Sequence, residues 1–109
     1  MAVDEALADR VRELLAPRDS LSERRMFGGI GFMVGGNMAV GVIEQDVIVR
    51  LDAADAQLAL AETGVREFDF TGRAMKGWIY VGPEVTTEDR DLASWVEAGA
   101  DYATSLPPK

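Results

Sequence analysis

Two arginines, Arg24 and Arg25, stand directly before a run that mixes glycines with large apolar side chains, Met26-Phe27-Gly28-Gly29-Ile30-Gly31-Phe32-Met33. Glycines 28, 29 and 31 beside two cations suggest a phosphate cradle, in which backbone N–H groups at a helix N-terminus face an anion. The pattern argues for something else. Apolar alternation continues through the glycines, no GK[ST] element follows, and Gly35-Gly36 offers a hairpin turn. The segment therefore reads as a strand that bends or is approached closely by a helix or another backbone. Arg24 and Arg25 suit an anion or an acidic partner as well as they suit a solvated strand end. Arg73 and Lys76 flank Met75 in a second glycine-bounded segment, Gly72–Gly77. Should that loop fold over the sheet, its cations would join Arg24 and Arg25 in one patch.

Other chemistries are poorly served. The chain has no histidine and no cysteine, which removes the commonest general base, thiolate nucleophiles, disulfides and zinc–thiolate sites. Carboxylates at Glu44, Asp46, Glu67 and Asp69 lack the spacing of a calcium loop and read as solvated faces. No catalytic residue, metal or cofactor is expected. Trp78 and Tyr80 share a face by strand alternation, either as a stacking platform or as core or interface residues. Met26, Met33, Met38 and Met75 read as filler of a core or an interface.

The elements that must position these residues follow from periodicity. Residues 4–16 form an amphipathic helix carrying Leu7, Val11, Leu14 and Leu15, stopped by Pro17. A strand over 25–34, another over 37–43 and a third over 47–51 make a three-strand meander. Asp52 caps a slim, alanine-rich helix over 53–62, ended by Gly64. Strands follow over 65–70 and 78–81. The last helix starts at Thr86 or Thr87, with Thr86 and Asp89 as a capping box, and buries Leu92, Trp95, Val96, Gly99, Tyr102 and Leu106. The expected order is α-β-β-β-α-β-β-α, a two-layer α+β fold on a five-stranded antiparallel sheet.

A chain of 109 residues without a linker is one domain, 1–109. A formal net charge of −8 disfavours direct nucleic-acid binding, which depends on neutralising phosphates. No signal sequence or membrane-length apolar run is seen, so a cytoplasmic location is the default.

The run Arg25–Met33, the following Gly36-Asn37-Met38, the later Phe70-Thr71-Gly72-Arg73-Ala74-Met75-Lys76-Gly77-Trp78-Ile79-Tyr80-Val81 and the terminal Ser105–Lys109 together resemble the N-terminal domain of the TfoX (Sxy) family. The similarity covers about Leu7 to Lys109, as in a stand-alone member. Met26, Phe27, Gly28, Gly29, Gly31, Gly72, Met75, Gly77 and Trp78 carry it. The resemblance implies a two-layer α+β domain similar to secretion-chaperone-like and YjbR-like domains. It also implies kinship with regulators that add a helical second domain and act in natural competence as transcriptional co-regulators. It supplies no catalytic residues.

The expected function is a non-enzymatic regulatory or protein-interaction module, with an unnamed protein partner or a second copy of itself. Two rivals accompany it. One is a nucleic-acid-associated co-regulator using Arg24, Arg25, Arg73 and Lys76. The other is a small anion or metabolite site under the Gly72–Gly77 loop.

Overall fold

The computed structural model describes residues 3–26, 28–69, 72 and 75–108. Helix α1 spans Glu5–Leu15, and the carboxylate of Asp4 accepts from the Leu7 amide at 3.0 Å, satisfying one orphan donor of the first turn. Four strands follow as a meander: β1 Leu21–Met26, β2 Gly29–Val34, β3 Asn37–Ile43 and β4 Asp46–Arg50. Asp52 caps helix α2, Ala53–Ala59, through the Asp55 amide at 2.7 Å. Strands β5 Val65–Glu67 and β6 Trp78–Val81, the short helix α3 Pro83–Thr86 and the long helix α4 Asp89–Ser105 complete the chain.

The sheet has six strands in the order β1-β2-β3-β4-β6-β5, all antiparallel neighbours, so the expected five-stranded sheet is corrected by one. The extra strand, β1, lies mostly in residues 21–24, which were expected in no element, and takes the first two residues of the strand expected over 25–34. The chain reverses between Met26 and Gly29, with Gly28 at φ +77, a conformation that suits glycine. β1 has no apolar alternation because it is an edge strand, and edges are commonly charged. The Gly35-Gly36 turn forms as expected, with φ +62 and +82.

Other limits also moved. α2 stops at Ala59 rather than residue 62, and β5 at Glu67 rather than residue 70. α4 begins at Asp89 with Glu88 as its cap residue and no side-chain cap bond, so the Thr86–Asp89 capping box does not form. Thr86 instead ends α3 and is buried, its carbonyl accepting from Arg10 at 2.8 Å.

One face of the sheet is the core. Ile30, Phe32, Val34, Val40, Val42, Val47, Val49, Ile79 and Val81 meet Leu7, Val11 and Leu15 of α1 and Leu92, Val96, Ala100 and Ala103 of α4. Trp95, Tyr102 and Leu106, expected in the buried stripe, are only half-buried. Ala100 and Ala103 take their places because small residues let α4 lie close to the sheet. Gly99 marks the closest approach, since a Cβ there would stand 2.5 Å from the carbonyl oxygen of Ala39. Arg18 ties the α1–β1 connection to α4 through Glu97 and Asp101, both at 2.7 Å. Its guanidinium is raised above its ordinary pKa by those hydrogen bonds, Asp101 first. At the far end, buried Asn37 donates its side-chain amide to the carbonyl of Pro107 at 2.9 Å, holding the C-terminal tail against the β2–β3 hairpin.

Candidate functional site

The core-packing helices cover one face of the sheet. Among the described residues the opposite face meets helices only at its Trp78 end, where Arg50 bridges Trp78 to the Tyr102 ring of α4 at 5.6 Å and Trp78 borders a groove beside α2. Strand alternation puts Arg24, Gly31, Gly41, Ile48, Tyr80 and Arg66 in one cross-sheet row, each paired in register with the next. Gly31 and Gly41 are direct partners in that row. Together they leave a trough without side chains, and methionines fill it. A Cβ at Gly31 would lie 3.1 Å from Cε of Met26 and 3.3 Å from Cε of Met33. A Cβ at Gly41 would lie 2.8 Å from Cε of Met38 and 3.5 Å from Cδ1 of Ile48. Gly31 of the opening motif is therefore pressed by the chain's own thioethers, whereas a Cβ at Gly29 would collide with the backbone carbonyl oxygen of Val42. Met33 and Ile48 are buried beneath this layer, while Met26 and Met38 are half-buried at its surface.

Beyond Ile48 the same face becomes aromatic. Trp78 and Tyr80 share it, as alternation predicts, and Phe68 packs between them with ring centroids 5.9 and 5.0 Å away. Guanidinium groups lie over two of these rings, Arg50 at 5.2 Å from the Trp78 centroid and Arg66 at 5.0 Å from that of Tyr80. Arg66 also pairs with Asp46 at 2.9 Å, which raises its pKa. Burial pushes the Tyr80 phenol above its ordinary 10.0, and Asp69 and Asp46 push it the same way. This end of the face is framed by carboxylates and is a poor seat for a phosphate chain.

The cations expected to form one patch are distributed differently. Arg24 and Arg25 point to opposite faces. Arg25 lies on the helix side, 3.6 Å from Glu5, and Arg24 lies on the methionine side with no ion pair among the described residues. Lys76 is exposed in the turn before β6, four strand spacings from β1, about 19 Å at the usual interstrand distance. Arg73 and Phe27 lie outside the described residues.

Of the remaining motif residues, Gly77 is buried and its carbonyl accepts from the Leu51 amide at 2.7 Å, which fixes the start of β6. Gly72 is exposed, with φ +86. Met75 is 38% exposed and lines a groove of about 340 Å³ between α2 and β6, together with Ala53, Ala56, Leu60, Lys76 and Trp78. Among the described residues no group of carboxylates is arranged to hold a metal ion, and no helix is long and apolar enough to cross a membrane.

On the helix side of β1, Glu23 forms a bidentate pair with Arg12, at 2.6 and 2.8 Å. The pair lowers the Glu23 carboxyl below its ordinary 4.5 and raises the Arg12 guanidinium. Sequence reasoning did not single out Glu23, and its only signal was a lone acid ahead of two arginines.

A six-stranded antiparallel α+β domain, helices on one face and methionine-over-glycine packing on the other, is the setting in which the family motif now sits. The TfoX N-terminal domain family model matches residues 13–103. The chain belongs to that family. No match is found among curated proteins or among solved structures.

Proposed function

We propose that this domain is a non-enzymatic, TfoX-like regulatory module that works by binding another protein on its methionine-lined sheet face. The observation that carries this reading is the trough at Gly31 and Gly41 roofed by methionine side chains. Thioether chains are unbranched and adapt to the shape of what meets them, which suits them to a contact surface. Two half-buried aromatics, Trp78 and Tyr80, extend that surface, and aromatics are favoured anchors at interfaces. A charge placed there should abolish docking while sparing the fold. Met38→Glu is expected to lose the partner, and Ser94→Glu on the exposed side of α4 to keep it. Equal loss from both, with folding intact, would contradict the reading.

The groove beside α2 favours a second reading, a small metabolite held between Ala56, Leu60 and Trp78 with an anionic group toward Lys76. A ligand that binds only the native state raises stability, so a thermal-shift screen of small carboxylates and phosphates addresses it. No shift across the screen would remove it.

A further inference from the structure

We propose that the free edge of β1 pairs with β1 of a second copy of this chain, about a two-fold axis at Arg24. β1 is the terminal strand of the sheet, six residues long, with Ser22–Arg25 all exposed. Its backbone polarity is fixed by the neighbouring hairpin. The Gly35 amide donates to the Ser20 carbonyl at 3.1 Å, so even-numbered positions bond inward to β2. By alternation, Glu23 and Arg25 turn their N–H and C=O groups to the free edge.

An antiparallel partner related by two-fold symmetry must face each residue with one on the same side of the sheet. Two registers keep most of the strand in overlap, those centred on Glu23 and on Arg24. Centring on Glu23 sets glutamate against glutamate. Centring on Arg24 sets Glu23 against Arg25 of the second copy, and does so twice. Both residues lie on the helix side, where Glu23 already holds Arg12 and Arg25 already faces Glu5. The seam then reads in alternating sign: Arg12, Glu23, Arg25 of the second copy, Glu5 of the second copy. One term opposes it. Arg24 meets its own copy on the methionine side, and like charges directly across two strands destabilise pairing. The association is therefore weak and reversible, with Arg24 limiting it. This inference does not depend on the docking-face reading.

Sedimentation equilibrium of the full chain at low salt, from about 10 μM to about 1 mM, tests it over the affinity range of weak edge pairing. The mass should climb from 11.8 kDa toward twice that value. Arg24→Ser should tighten association a few-fold, since it removes the repulsive pair. Glu23→Arg and Arg25→Glu should each weaken it by about fivefold or more. The double variant Glu23→Arg/Arg25→Glu should restore association, because opposite charges face each other again, and general damage to the fold cannot produce that recovery. A chain that stays monomeric throughout, Arg24→Ser included, overturns the proposal. So does association that none of these substitutions changes. If association fails while Met38→Glu still abolishes partner binding, the edge is at fault and the docking face stands.

Discussion

Gly31 and Gly41 face each other across β2 and β3, and the methyl groups of Met26, Met33 and Met38 occupy the space their missing side chains leave. Glycine serves two physically different purposes in this chain. At Gly31 the neighbours are the flexible ends of methionines, whereas at Gly99 the nearest neighbour is the carbonyl oxygen of Ala39 in the sheet.

That difference predicts opposite results for the same substitution. Gly31→Ala should remain within about 1 kcal/mol of wild type, because the thioethers can swing aside. Gly99→Ala gains about 1 kcal/mol of helix propensity, yet it should destabilise overall by about 1–3 kcal/mol because α4 must lift from β3. Urea unfolding of the two variants checks the order, and a neutral or stabilising Gly99→Ala would contradict the packing described.

Asn37 is 3% exposed, and its side-chain amide reaches the Pro107 carbonyl. Asn37→Ala should cost about 1 kcal/mol through loss of the part-buried hydrogen bond to the Pro107 carbonyl. It should also raise amide exchange at Leu106, whose amide donates to the Ala103 carbonyl, before the sheet is affected. Unchanged exchange there would mean that the bond does not hold the tail.

The Arg12–Glu23 pair sets a pH dependence. The folded pKa of Glu23 is depressed, so its contribution is fully present above the ordinary glutamate value of 4.5 and is lost as pH falls through the lower folded value. Wild type should therefore exceed Glu23→Gln in stability at neutral pH, with the gap closing as pH drops below the carboxylate range. Denaturant unfolding at several pH values measures it. A gap that widens on acidification would reverse the sign and refute the assignment.

Much of this was readable from the chain itself. Asn37–Ile43 and Trp78–Val81 are found where alternation placed them, and Asp52 caps the helix it was expected to start, while Asp4, expected as the first helical residue, is the cap instead. These elements carry local signals strong enough to stand alone. Leu21–Met26 does not, because an edge strand needs little apolar patterning and its pairing with β2 supplies the structure. That omission concealed the opposite facing of Arg24 and Arg25, which follows at once from alternation when the strand begins at Leu21. The insertion of β6 between β4 and β5 is a long-range choice with no local signature. The same is true of the trough. The glycines were visible as a place of close approach, but the pairing of Gly31 with Gly41 depends on register, and register here is shifted by an irregularity at Phe32/Met33.

The most direct test of the docking face is site-specific photo-crosslinking in cells of origin. A photoreactive side chain is placed at Met38 on the methionine-lined face or at Ser94 on the exposed side of α4. Discrete protein adducts should form from Met38 and not from Ser94. Adducts from Ser94 alone, or the same adducts from both positions, would contradict the assignment of the sheet face as the working surface.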